Sequence, residues 1–95
     1  MNIVWSPEAI EDLTSLRDYI AEESPAGAQR VVLRILRTIE QVLPENPHLG
    51  RSGRVPGTRE LVIPQTPYIV PYRLQRGTIQ ILRIYHSARR WPDSF

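Results

Sequence analysis

The sequence predicts an α+β fold in which an antiparallel pair of helices packs on one face of a mostly antiparallel sheet. Two apolar patterns with helical spacing occupy the first half of the chain, and a short apolar run precedes them. After Gly50 the pattern changes to short runs rich in Val, Ile and Tyr, which is typical of strands. The predicted order is therefore strand, helix, helix and a three-stranded antiparallel meander. We expect a single domain over residues 1–95, because this length supports one modest core.

The first half of the chain predicts a strand and a helix hairpin. The apolar run Asn2–Trp5 predicts a strand at an edge of the sheet. Ser6-Pro7 and Ser24-Pro25 predict helix starts, since serine supplies an N-cap oxygen and proline fits the first turn. The connection between the helices is very short, so they are expected to lie antiparallel. The apolar stripes predicted to face the core are Ile10, Leu13, Leu16 and Ile20, then Ala28, Val32, Ile35, Ile39 and Val42.

The second half predicts three strands, Arg59–Ile63, Tyr68–Leu74 and Thr78–His86. Arg76-Gly77 predicts a two-residue hairpin turn between the last two strands. Pro71 lies inside a predicted strand and has no N–H to donate. The sequence therefore requires a sheet edge, a bulge or an unpaired N–H position there.

Charge is distributed unevenly along the chain. Residues 1–47 carry four Arg and eight acidic residues, a net charge of −4, whereas residues 48–95 carry eight Arg and two acidic residues, a net charge of +6. All the basic side chains are arginines, which favour planar, bidentate contacts with phosphate or carboxylate. This asymmetry predicts a polyanionic or acidic partner.

Composition argues against several classes of protein. The chain has no cysteine, and its two histidines, His48 and His86, have no recognisable ligand spacing, so we expect no metal site and no cofactor. No apolar run is long enough to span a bilayer, and the segment MNIVWSPEAIED lacks the layout of a signal peptide. These observations predict a cytoplasmic protein without membrane association.

The glycine-rich segment at residues 50–57, GRSGRVPG, has two interpretations. Glycines that free backbone N–H groups beside Arg51 and Arg54 are typical of a loop that binds phosphate. The segment lacks the Lys-Ser/Thr ending of a P-loop and follows a helix, so nucleotide binding is not favoured. The alternative is a mobile, solvated connector between helix and sheet.

The end of the last predicted strand carries the densest set of reactive side chains. Strand alternation places Arg83 and Tyr85 on one face, and Ile84 and His86 on the other. His86 is either a general acid or base or a hydrogen-bonded core residue, and the alternation favours the core. Arg89 and Arg90, which follow, either bind phosphate or an acidic peptide, or are solvated. Trp91 is favoured as a plug that closes the sheet edge.

The capped helix hairpin, followed by GR-x-GR-x-PGTREL, PYIV-x-YR and ILR-x-x-H-x-ARRWP, resembles the toxins of the RelE/ParE superfamily. These toxins are the toxic halves of bacterial type II toxin–antitoxin pairs. The similarity extends from Trp5 to Pro92. It implies the same order of a strand, two helices and three strands.

The resemblance leaves the target open. RelE-type members cut messenger RNA on the ribosome without metal, and this pattern implies Arg73, His86 and Arg89 as catalytic residues. Phe95 stands where a nuclease carries a tyrosine, and the chain has no lysine. ParE-type members inhibit DNA gyrase, and the string GTREL…PYIV…RRWP matches them better. The first hypothesis is therefore a gyrase inhibitor without catalysis, and the alternatives are a ribosome-dependent mRNA endonuclease or a degenerate toxin that only binds its antitoxin.

The resemblance also implies a ParD-like antitoxin that wraps the toxin, with operator DNA bound through the antitoxin. An apolar arc on the second helix, wider than one core contact requires, is expected to bind it together with neighbouring arginines. The predicted antitoxin-binding residues are Val31, Leu33, Arg34, Leu36 and Arg37. The predicted target-binding residues are Arg51, Arg54, Arg59, Arg73, Arg83, Arg89, Arg90 and Trp91.

Overall fold

The computed structural model describes residues 1–95 and has the predicted α+β architecture. Along the chain, an N-terminal strand is followed by two helices and then by the remaining strands. The elements are β1 (Asn2–Trp5), α1 (Pro7–Ala21), α2 (Pro25–Arg37), β2 (Arg51–Ser52), β3 (Arg59–Val62), β4 (Tyr68–Gln75), β5 (Thr78–Ile81) and β6 (Tyr85–His86). The short strand β2 was not predicted. No helix is long and apolar enough to cross a membrane.

Both helix starts are capped as the sequence predicts. The Ser6 hydroxyl accepts the Ala9 N–H at 3.0 Å, and the Ser24 hydroxyl accepts the Gly27 N–H at 3.0 Å. Each cap satisfies a backbone donor that the helix itself leaves unpaired. Ser6 also donates to the Leu82 carbonyl at 2.7 Å, which fixes the beginning of α1 to the sheet.

The predicted core stripes are wrong at two residues, Ile10 and Val42, which are exposed. On α1, Ile10 is exposed and Ala9 is buried in its place, because Ala9 lies one turn before Leu13 on the side that packs against the core with Leu16 and Ile20. Beyond α2, Val42 is 40% exposed and Leu43 is fully buried. The chain forms a π-helical turn at Thr38–Val42, which holds more residues per turn than an α-helix and so rotates Leu43 towards the core.

The strands form one mixed sheet in the order β1-β5-β4-β3-β2, with β6 also paired to β4. β1 lies at an edge, as predicted, and runs parallel to β5, whereas the other pairs are antiparallel. Arg76 and Gly77 join β4 to β5 with φ angles of 51° and 77°. These positive angles match the twist of a tight hairpin, so the predicted turn is confirmed.

A β-bulge separates β5 from β6. From the Tyr72–Ile81 pair to the Ile69–Tyr85 pair, β4 advances by three residues and the facing chain by four. The extra residue interrupts the ladder and changes which side chains face the core. The prediction of one continuous strand, Thr78–His86, is therefore wrong at its centre.

The bulge also accommodates Pro71 in a central strand. The Pro71 carbonyl accepts the Leu82 N–H at 3.0 Å. Because the N and O of one strand residue point to the same side, the missing N–H of Pro71 faces the bulge. The ladder is already interrupted there, so no sheet hydrogen bond is lost.

The main core lies between the helices and one face of the sheet. It includes Leu16, Ile35, Ile39, Leu43, Leu61, Ile63, Val70, Tyr72, Ile79 and Ile81. On the opposite face the neighbouring residues Ile69 and Tyr85 are buried as well. Trp91 and Phe95 pack on Tyr85 from the C-terminal segment, so this second face is partly covered.

Candidate functional site

A buried carboxylate organises the glycine-rich segment. Glu60 is only 3% exposed and accepts hydrogen bonds from the guanidinium groups of Arg51, at 3.1 and 3.2 Å, and Arg54, at 3.0 and 3.1 Å. The Arg54 backbone N–H adds a further bond of 2.8 Å. Burial alone raises the pKa of Glu60, but the hydrogen bonds from Arg54 and Arg51 outweigh it and hold the pKa below its usual value of 4.5.

Two glycines of the same segment are required by close packing. A Cβ at Gly50 would lie 2.5 Å from Cε1 of Tyr72, and a Cβ at Gly53 would overlap the side chain of Thr58. The Tyr72 hydroxyl accepts the Gly50 N–H at 2.9 Å and donates to the Pro47 carbonyl at 2.8 Å. The segment is therefore neither a phosphate loop nor a solvated connector, but a β2–β3 hairpin that is anchored to the sheet.

A third arginine of the basic half is also bound within the chain. Arg59 donates to the Gly50 carbonyl at 2.8 Å and to the His48 carbonyl at 3.3 Å. These bonds hold the segment that leads from the helices into β2. Sequence patterns do not distinguish such internal arginines from arginines that face a partner.

The bulge is bound to α1 through Asp12. The Asp12 carboxylate accepts hydrogen bonds from Nε and Nη2 of Arg83, at 2.8 and 2.9 Å. It accepts a third from the Ile84 backbone N–H at 2.9 Å. The hydrogen bond to Asp12 raises the pKa of Arg83 above its usual value. Asp12 thus satisfies a backbone donor that the bulge removes from the ladder.

An aromatic and arginine cluster surrounds Tyr85. The guanidinium carbons of Arg89 and Arg83 lie 4.4 and 4.9 Å from the centre of the Tyr85 ring. Trp91 contacts the same ring edge-on at 5.1 Å, and the Arg54 guanidinium lies 3.9 Å from the Trp91 ring. The indole N–H of Trp91 is buried without a hydrogen-bond partner. Trp91 therefore packs against the sheet, in the manner of the predicted plug.

His86 is exposed, so its predicted core position is wrong. Its ring packs edge-on against Tyr68 at 5.6 Å, and its Nδ1 accepts the Ala88 N–H at 3.1 Å. The predicted alternation of Ile84 and His86 holds, but His86 is the last residue of β6, where the sheet ends and the core no longer covers it. Burial raises the pKa of Tyr68 above its usual value of 10.0.

Two open cavities lie between α1 and the C-terminal segment. The larger, about 720 Å³, is lined by Ser6, Glu8, Leu82, Arg83, Tyr85, Arg89, Arg90, Trp91, Pro92, Ser94 and Phe95. The smaller, about 390 Å³, is lined by Asp12, Ser15, Leu16, Tyr19, Tyr68, Ile84, His86 and Arg89. Glu8, Asp12, Ser15 and Tyr19 were not predicted as site residues. Their helical spacing on one side of α1 was the available signal.

The structure does not bring the three predicted nuclease residues together. His86 and Arg89 line the smaller cavity, but Arg73 does not. Arg73 follows Tyr72 in β4, and Tyr72 faces the helices, so Arg73 faces the other side of the sheet. His86 pairs with Tyr68, which faces the helices. Of the eight predicted target-binding residues, only Arg73 and Arg90 contact neither an acidic partner, a backbone carbonyl nor an aromatic ring.

The predicted antitoxin-binding arc on α2 divides into two parts. Val31 packs against the chain's own core, which accounts for part of the surplus apolar surface. Leu33 is 47% exposed and Leu36 is half-buried, while Arg34 and Arg37 are exposed. Leu33 lines an open cavity of about 290 Å³ between α1 and α2.

The fold and the sequence together are those of the small toxins of type II toxin–antitoxin systems. The family model of the ParE toxin of the type II toxin–antitoxin system parDE matches residues 3–91. The chain therefore belongs to the ParE toxin family.

Individual relatives agree with this assignment. The chain is 41% identical over 91 residues to the protein Y4kP of Sinorhizobium fredii, covering 96% of this chain and 93% of that protein. It is 41% identical over 87 residues to toxin RelE2 of Caulobacter vibrioides, covering 92% and 96%. A solved structure of the chromosomal ParDE system from P. aeruginosa superposes with a TM-score of 0.75 and 33% identity, covering 90% of this chain and 95% of that one.

Proposed function

We propose that this toxin inhibits DNA gyrase by binding it, acts in the cytoplasm, and is neutralised by a ParD-like antitoxin. The observation that carries the proposal is the match to the ParE toxin family over residues 3–91. The separation of Arg73 from His86 and Arg89 supports it, because a nuclease would need these groups around one phosphate.

Hydrogen bonds and ion pairs within the chain reduce the number of arginines that are available to bind the target. Arg51, Arg54, Arg59 and Arg83 are bound to carboxylates or carbonyls within the chain. Their guanidinium groups stabilise the fold and have fewer donors left for a partner. Target contact is therefore assigned to Arg73, Arg89 and Arg90, with Trp91 as a packed support for the surface near Arg89.

A gyrase supercoiling reaction with relaxed plasmid and ATP tests the proposal. The toxin is expected to abolish supercoiling and to accumulate cleaved DNA, and the cognate antitoxin is expected to reverse both effects. Arg90→Ala should weaken inhibition, whereas Arg76→Ala, at the exposed β4–β5 turn, serves as the matched control. Undisturbed gyrase, with a toxin that is folded and arrests growth in cells, would exclude this target.

A second candidate function is cleavage of mRNA on the ribosome. It is favoured by exposed His86, which lines one cavity with Arg89 and Tyr68. In that case purified ribosomes programmed with mRNA would show toxin-dependent cleavage that His86→Gln abolishes. A chain inactive on both gyrase and ribosomes that still binds its antitoxin would be the degenerate toxin.

The antitoxin partner is supported by the ParDE assembly named for the similar structure from P. aeruginosa. We assign the exposed part of α2 around Leu33, Arg34 and Arg37 to an amphipathic segment of this partner. Leu33 supplies apolar contact, and the two arginines attract acidic residues. Operator DNA is then bound through the antitoxin.

A further inference from the structure

The two cavities beside α1 are neighbouring parts of one surface, which we call the α1 groove. One wall is the polar stripe of α1 formed by Glu8, Asp12, Ser15 and Tyr19. The other wall is the chain from Leu82 to Phe95, and Arg89 lines both cavities. From residue 8 to residue 19 the helix rises about 16 Å, which is long enough for several residues of a partner chain.

The middle of the α1 groove is suited to an anion. Arg89 and Arg90 are exposed and form no ion pair within the chain. Arg89 stacks on Tyr85, which restricts the guanidinium before any ligand binds and reduces the entropy lost on binding. The neighbouring carboxylate of Asp12 is already bound to Arg83 and does not compete for Arg89.

Aromatic side chains lie on both sides of this anion-binding position at Arg89. Tyr19 is 74% exposed and lines the smaller cavity together with Tyr68. Trp91 and Phe95 line the larger cavity. A bound segment could therefore place its charged group on Arg89 and apolar groups against the aromatic side chains on either side. These aromatic contacts exclude water from around the charged contact.

Two backbone N–H groups beside the groove, those of Ile84 and Arg89, are already satisfied. Asp12 accepts the Ile84 N–H, and the His86 carbonyl accepts the Arg89 N–H at 2.9 Å. An added β-strand would find these groups occupied. Recognition in the groove consequently depends on side chains.

We propose that the α1 groove binds an acidic segment of the antitoxin, with a carboxylate on Arg89 and apolar side chains against Tyr19 and against Trp91 and Phe95. This inference rests on the proposed antitoxin partner and adds a second contact surface to the one on α2. A peptide that brings one carboxylate to Arg89 and apolar side chains to either side fits this lining, whereas the successive charges of a polyphosphate chain would also lie against Glu8 on the groove wall.

Titration calorimetry of the full-length toxin with its full-length cognate antitoxin tests the groove. Arg89→Glu should weaken binding by about tenfold or more, and Tyr19→Ala by about fivefold, because both remove direct contacts. Two matched controls should stay within about twofold. They are Arg76→Glu, the same charge reversal at the β4–β5 turn, and Ile10→Ala on the opposite side of α1. Circular dichroism and thermal unfolding establish that each variant is folded.

Unchanged antitoxin affinity in folded Arg89→Glu and Tyr19→Ala would overturn the proposal. So would binding of a short uracil-rich single-stranded RNA that these two variants lose, since that result would assign the groove to nucleic acid. The gyrase assay is independent of this measurement. Failure to inhibit gyrase removes the proposed target but leaves the antitoxin titration interpretable.

Discussion

The carboxylate of Asp12 on α1 forms a two-pronged ion pair with Arg83 in the β-bulge, with Nε and Nη2 at 2.8 and 2.9 Å. The residues are separated by 71 positions in the chain. The pair joins the first helix to the last part of the sheet and borders the α1 groove. It is therefore a determinant of the groove's shape as well as of stability.

Asp12→Asn should lower the free energy of unfolding by about 2 kcal/mol, because a partly buried guanidinium loses a charged partner. Urea unfolding measures the change. Asp18→Asn is the control, since the Arg17–Asp18 pair is exposed and should contribute less than about 0.5 kcal/mol. Equal effects of the two substitutions would contradict a structural role for the Asp12–Arg83 pair.

Glu60→Gln should also destabilise the fold, by about 2 kcal/mol near neutral pH. The pKa of Glu60 is lower in the folded protein than its usual 4.5, so the unfolded chain binds the proton more tightly. The contribution of Glu60 is fully present above pH 4.5 and is lost as the pH falls through the folded pKa.

The measurement is urea unfolding of the wild type and Glu60→Gln from neutral to acidic pH. Their difference in unfolding free energy should shrink only on the acidic side. Glu45→Gln, at an exposed position, is the control and should show little difference at any pH. A difference between the wild type and Glu60→Gln that does not change with pH would show that the carboxylate charge is not what stabilises the hairpin.

Because of the π-helical turn after α2, we expect substitutions at the adjacent residues Val42 and Leu43 to differ in their effect on the free energy of unfolding. Leu43→Ala should destabilise the protein by about 3 kcal/mol, because it leaves a cavity in the main core. Val42→Ala should cost much less, about 1 kcal/mol at most, since Val42 is 40% exposed and lies outside the main core. Chemical denaturation of both variants checks this, and the reverse order would mean that the helix continues regularly through residue 42.

His86→Gln should leave gyrase inhibition within about twofold of the wild type, because the substitution is at an exposed site and gyrase binding requires no proton transfer. Supercoiling assays over a range of toxin concentrations provide the comparison. A folded His86→Gln protein that has lost all toxicity in cells would instead support the nuclease, in which one catalytic group accounts for a large share of the rate.

Leu33→Asp should weaken antitoxin binding by about tenfold, because it places a carboxylate in an apolar contact. Val62→Asp on β3 is the matched control, since Val62 has nearly the same exposure, 48% against 47%. Titration calorimetry with the cognate antitoxin distinguishes them. Equal affinities for the two variants would remove α2 from the antitoxin interface.

The sequence by itself determined the features that depend on neighbouring residues. Ser6 and Ser24 cap helices through groups three residues away, and Arg76-Gly77 forms its turn through two positive φ angles. Helical and alternating apolar patterns then gave the order of elements and an α+β fold. Such signals are local, so they survive without knowledge of distant contacts.

Only the tertiary structure decided which charged residues are internal and which face solvent. Glu60 binds two arginines of the glycine-rich segment, and Asp12 reaches Arg83 from the other half of the chain. The extra residue in the bulge puts Ile84 and His86 on the helix side of the sheet, and only the end of the sheet at β6 leaves His86 exposed while Ile84 is buried. The α1 groove exists for the same reason: its walls come from segments that meet only after the sheet and helices have packed.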